Sequence, residues 1–135
     1  MPIETVIDNE FITMWYHPEE KIVHHQFHTK TINGKILRDA LNTGAELLKK
    51  NHARKWLSDD RSYIIFAHED LKWGADEWQP KAVSYGWKYW AIVKPLDEIG
   101  KMSIEQISYD YKITGLTIEY FDNVDKAFEW LCNCK

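Results

Sequence analysis

The chain has 135 residues, 44% of them hydrophobic and 14% aromatic, which suits one globular domain with a real core and excludes a disordered chain. The formal net charge is -4, and Lys and Arg are scattered, with basic pairs only at Lys49-Lys50 and Arg54-Lys55; this argues against nucleic acid as a partner. No apolar run approaches the roughly 20 residues of a bilayer span, and MPIETVIDNEF lacks the basic and apolar segments of a signal peptide, so neither membrane insertion nor export is expected.

Ile3 to Ile7 reads as a first short strand, followed by strands at Phe11 to Tyr16 and Lys21 to Phe27. Between the last two, His17-Pro18-Glu19-Glu20 supplies a preset φ and solvated acids, which predicts a β-hairpin. After Asn33, the predicted cap, Ile36, Leu37, Ala40, Leu41, Gly44, Leu47 and Leu48 recur at helical spacing and define one apolar stripe. Gly44 costs about 1 kcal/mol against Ala in mid-helix, so its place is read as close packing of helix on sheet.

Arg54 to Ser58 is the next expected strand, followed by a polar region and a helix from about Asp76 to Tyr85, with Pro80 tolerable only near its first turn. Trp87 to Val93 (WKYWAIV) is almost continuously apolar and fits a central strand covered on both faces. Ser103-Ile104-Glu105-Gln106 matches a capping box and predicts a helix start there, with Ile104, Ile107 and Tyr111 as its stripe and Gly115 as its stop. Leu116 to Phe121 reads as the last strand, and Asn123 caps a final helix with Val124, Ala127, Phe128 and Leu131 facing inward. The order β-β-β-α-β-α-β-α-β-α predicts one α/β domain over residues 1–135: an N-terminal hairpin plus parallel strands in a mixed sheet, with about four helices.

Order and length resemble the SpoIIAA-like, or STAS-like, fold of anti-sigma-factor antagonists and related regulatory domains. "KWLSDDR", "EDLKWGADEWQP" and "GWKYWAIVKP" are similar to an uncharacterised group of small bacterial proteins of that class. The resemblance implies a small regulatory module. Its phosphorylatable serine turn is not matched: the corresponding stretch here is Phe66-Ala67-His68-Glu69-Asp70, and Ser62 sits too early.

Three constellations could carry chemistry. Asp59, Asp60 and Arg61 lie at the carboxyl end of a parallel strand, where open α/β sheets bind ligands. Strand alternation puts Asp60 on the face of Trp56 and Ser58, and Asp59 with Arg61 on the other, so the two acids need not share a proton. The plainer reading is an Arg–Asp pair that ties down a loop at the polar exit of the strand into solvent. Trp73 and Trp78, interleaved with acids in HEDLKWGADEWQP, are expected on the same rim, as core, interface or ligand wall. "HHQFH" offers His24, His25 and His28, but on a strand His24 and His28 stand about 13 Å apart, too far for one metal. Cys132 and Cys134 are read as free thiols of a reducing cytoplasm.

The expectation is therefore a non-enzymatic cytoplasmic binding or regulatory module, a homodimer, with no cofactor, metal or catalytic residue. The alternative is a small-ligand-binding protein or small enzyme using Asp59, Asp60, Arg61, Trp73 and Trp78.

Overall fold

In the computed structural model, which describes residues 2–32, 34–62 and 65–135, the six strands lie side by side in chain order. They are β1 (Glu4–Asp8), β2 (Ile12–His17), β3 (Ile22–Phe27), β4 (Lys55–Asp59), β5 (Tyr89–Val93) and β6 (Thr117–Phe121). The first three pair antiparallel; β3 to β6 run parallel, as the alternating order requires. Each crossover advances one strand in the same direction, so the right-handed rule stacks the intervening helices on one face. These are α1 (Gly34–Asn51), α2 (His68–Trp73) with α3 (Gln79–Ser84), and α4 (Glu98–Lys112). The final helix, α5 (Val124–Asn133), returns beneath the opposite face.

Alternation along the strands fills both layers. Val23, Trp56, Trp90 and Ile92 face α1, α3 and α4, and pack with Ala45, Leu48, Ala82 and Ile104. Ile22, Leu57, Ala91 and Val93 face α5 and meet Ala127 and Leu131. Both faces of β5 are covered, as its apolar run leads one to expect, although it lies next to the edge strand β6 rather than at the centre of the sheet. The expected hairpin forms, with Lys21 in the left-handed region (φ 58°) and its N–H donating to the His17 carbonyl at 2.8 Å. No helix among the described residues is long and apolar enough to cross a membrane.

Three expectations need correction. The polar stretch before Asp76 is helical: α2, a π-helical turn (Gly74–Trp78) and α3 run on continuously from His68. Pro80 removes one N–H and crowds the carbonyl four residues back; the wide turn just before it accommodates that, with the Gln79 N–H reaching the Gly74 carbonyl. α4 begins at Glu98, not just after Ser103, because the Asp97 carboxylate accepts the Gly100 N–H at 2.6 Å and caps the helix six residues before the expected cap. On α1, Ile36 points outward at 42% exposure, and Ala45 takes a place in the buried stripe. Asn33, the expected cap of α1, lies outside the described residues. Asn123 caps α5 as expected, its Oδ1 accepting the Lys126 N–H at 2.9 Å.

Candidate functional site

The helical layer does not seal against the sheet everywhere. Between α1, α2, α4 and strands β3 to β5 lies a pocket with about 570 Å³ of atom-free space, mouth included. Its walls are mainly rings: Trp56, Trp78, Trp87, Trp90, Tyr111 and Phe27. The indoles form a chain, with centroids 5.5 Å apart for Trp56–Trp78, 5.3 Å for Trp78–Trp87 and 5.5 Å for Trp87–Trp90. All three contacts are tilted or edge-on, the arrangement the ring quadrupole prefers.

Register explains how this wall is assembled. His25 of β3 is the direct neighbour of Ser58 on β4, and Val23 of Trp56; Trp56 in turn neighbours Trp90 on β5. Residues two apart share a face, so Trp56, Ser58 and Asp60 all project toward the pocket together with His25 and Phe27. The helices supply the remaining wall. Glycine makes two close approaches possible: a Cβ on Gly44 would lie 2.1 Å from the Trp56 ring, and one on Gly74 would lie 2.8 Å from the Tyr111 hydroxyl.

A buried polar chain runs across the pocket floor. The Trp90 indole donates to Ser58 Oγ at 2.7 Å, and Ser58 Oγ donates to Asp60 Oδ2 at 3.0 Å. The Trp56 indole donates to His25 Nδ1 at 2.9 Å. An indole N–H can only donate, so Nδ1 holds the lone pair and Nε2 carries the proton. His25 is 4% exposed, yet among the described residues its Nε2 has no hydrogen-bond partner; Asp60 Oδ1 lies 3.7 Å away. Leaving such a donor buried and unmet costs about 1–3 kcal/mol.

This arrangement also limits the chemistry. Ser58, Asp60 and His25 are the residue types of a hydrolytic triad, but their bonds run in the wrong order. Ser58 donates straight to the carboxylate, and the only lone pair of His25 is taken by Trp56, so no base faces the hydroxyl.

The residues expected on one acidic, aromatic rim are divided by the fold. Asp60 and Trp78 line the pocket. Asp59 and Arg61 lie on the other face, joined by bonds of 2.8 and 2.7 Å from the guanidinium to the two carboxylate oxygens. That bond, first, and the Asp59 charge raise the Arg61 pKa despite partial burial. The Arg–Asp pair is as expected, but the strand exit is not solvated: Asp59 and Asp60 are only 2% and 3% exposed. Trp73 is half-buried outside the pocket, with the Arg38 guanidinium 5.1 Å above its ring.

Asp70 is a further acid in the pocket wall. Its Oδ2 accepts the Gly34 N–H at 2.9 Å and its Oδ1 accepts Arg38 Nε at 3.0 Å, tying the start of α1 to α2. The histidine tract is dispersed. His24 meets His17 at 3.1 Å and His28 meets Thr13 at 2.6 Å, while His25 turns inward. Among the described residues no group of three or more His, Cys, Asp or Glu is placed to hold a metal. Cys132 and Cys134 are free, and burial is the first cause raising both thiol pKa values.

Comparison with protein-family models, curated proteins and solved structures returns no match. The site is read from its own geometry.

Proposed function

We propose that this chain is a non-catalytic binding module whose pocket takes a small, flat, largely apolar and uncharged ligand bearing a hydroxyl group. The observation that carries this reading is the buried, unpartnered Nε2–H of His25 beside the Asp60 carboxylate, at the floor of an aromatic-walled pocket. A hydroxyl is the group that meets both needs. It accepts from His25 Nε2 and donates to Asp60, while the ring to which it is attached lies among the indoles. A ligand carboxylate would face Asp60 at close range, and among the described residues the pocket lining holds no Lys or Arg to offset it.

The opposed directions of Asp59 and Asp60, and the occupied lone pair of His25, support binding rather than acid–base or nucleophilic catalysis. The order of elements supports kinship with SpoIIAA-like regulatory domains; the free Cys132 and Cys134 support a cytoplasmic setting.

The test is a titration followed by tryptophan fluorescence, since four indoles line the pocket. Phenol, benzene, benzoate and benzylammonium serve as probes. Saturable binding with phenol preferred is the expected result, and His25→Phe should abolish the preference for phenol over benzene. Binding of benzoate or benzylammonium in preference to phenol, or no saturable binding of any probe, overturns the proposal.

A further inference from the structure

One helix of the fold leaves a whole apolar stripe uncovered. On α4, Ile104 and Ser108 are buried, and Ile107 and Tyr111 pack against the core. Ser108 is hydrogen-bonded to Tyr120 of β6, which fixes that face inward. On the outer face Ile99, Met102, Tyr109 and Ile113 are 66%, 69%, 64% and 71% exposed. With Gln106 they follow the 3-4-3-4 spacing of a coiled-coil seam and fall within an arc of about 80°. Leu96, 78% exposed just before the helix, extends the stripe. A monomer gains nothing from holding five large apolar side chains in water along one line.

We propose that the protein forms a two-fold dimer through this stripe, two α4 helices packing antiparallel. The occupant is a second copy because the stripe complements itself when reversed. Ile99 then falls opposite Tyr109 of the second copy and Met102 opposite Gln106, each pair occurring twice about the axis as an isologous contact demands, while Ile113 reaches past the start of the second copy's helix toward Leu96. The flanking charges point the same way. Antiparallel packing brings Glu98, in the first turn, beside Lys112 of the second copy, in the last turn. Among the described residues Lys112 has no ion-pair partner within its own chain, and Glu98 has only a 3.4 Å contact with Lys101. A parallel pair would instead set Glu105 beside Asp110 of the second copy, acid against acid. In the antiparallel pair Glu105 meets its own copy near the axis, a rim repulsion that moderates the affinity. The stripe is about 21 Å long, the reach of one four-turn helix, so the contact is smaller than a standard interface and the dimer should dissociate on dilution.

Sedimentation equilibrium across about 5 to 200 µM tests this, since a dimer's population follows concentration. The mass should rise from 16.1 kDa toward twice that value. Met102→Glu, on an exposed side chain, should keep the protein monomeric with an unchanged circular dichroism spectrum. Glu105→Gln should tighten the dimer. Lys112→Glu should weaken it several-fold, and the exchange Glu98→Lys with Lys112→Glu should restore it. A monomer throughout the range, or a dimer indifferent to Met102→Glu, overturns the proposal. Failure of the exchange to restore association overturns the antiparallel pairing.

Discussion

A Cβ placed on Gly44 would stand 2.1 Å from Cη2 of Trp56, so the helix lies directly on the indole. Two other atoms of the same ring come within 2.8 Å, and the ring cannot swing away freely because its N–H is bonded to His25 in the buried layer. Gly44→Ala therefore sets two effects against each other. Helix propensity favours Ala by about 1 kcal/mol, while overpacking a filled core typically costs about 1–3 kcal/mol and sometimes more. The contact is close enough for overpacking to win. Urea melts should show a net loss of about 1–3 kcal/mol, and a variant more stable than wild type would contradict the packing described.

The same contact shows what could be read without coordinates. Gly44 in the middle of an amphipathic helix signals a close approach, and the strand alternation of KWLSDD correctly separates Asp60 from Asp59. The β-β-β-α-β order was legible because the turns, caps and apolar runs agree with one another. The pocket was less so. His25 sits between Val23 and Phe27 at spacing two, which marks it as inward-facing, but its partner Trp56 is 31 residues away and only sheet register brings the two together. Tyr111 and Trp90 meet through helix packing that no local pattern encodes. The burial of the two acids was missed because charged residues at a strand end are ordinarily solvated.

Asp59 and Asp60 should respond differently to removal of their charge. Asp59 holds the Arg61 guanidinium at two points, and Arg61 is partly exposed, so Asp59→Asn should cost about 1–3 kcal/mol rather than the larger penalty of a fully buried pair. Among the described residues the buried Asp60 carboxylate has no Lys or Arg partner; it accepts from Ser58 and lies 3.7 Å from Nε2 of His25. Neutralising it removes a desolvated charge, so Asp60→Asn should raise stability or leave it within about 1 kcal/mol. Trp56→Ala gives the scale, at about 3–5 kcal/mol. Denaturant melts of the three variants decide the order, and a larger loss for Asp60→Asn than for Asp59→Asn would refute it.

Asp70 closes the start of α1 from a distance of 36 residues, accepting the Gly34 N–H where a local cap would ordinarily act. It also accepts from Arg38, one turn further on. Asp70→Ala should cost about 2–3 kcal/mol, the scale of lost charge-assisted bonds to a half-exposed partner. The loss should appear locally as well: amides at the start of α1 should exchange hydrogen faster, while those of α5, on the far side of the sheet, stay protected. Uniform acceleration in both helices would show that Asp70 acts on global stability alone.

Stability should fall with acid before the carboxylates begin to titrate. Burial, then the neighbouring His17 and His25, pull the His24 imidazole down to about 3 from its ordinary 6.5, against the opposing pull of Asp59. His17 shifts the same way, mainly through burial, with Glu20 opposing. Above pH 6.5 His24 is neutral whether the chain is folded or not, and contributes no pH dependence. As pH falls below 6.5 the unfolded chain takes up a proton that the folded protein refuses, so stability present above 6.5 is lost progressively until the folded group itself titrates near 3. One proton corresponds to a slope of at most about 1.4 kcal/mol per pH unit. Between pH 6.5 and 5 most Asp and Glu side chains remain ionised, so the histidines dominate the slope. His24→Gln should flatten the stability curve in that window. Equal slopes for wild type and His24→Gln would mean that the folded protein protonates His24 as readily as the unfolded chain does. The stacking of His24 on His17, with ring centroids 5.4 Å apart, could not then be holding both rings neutral.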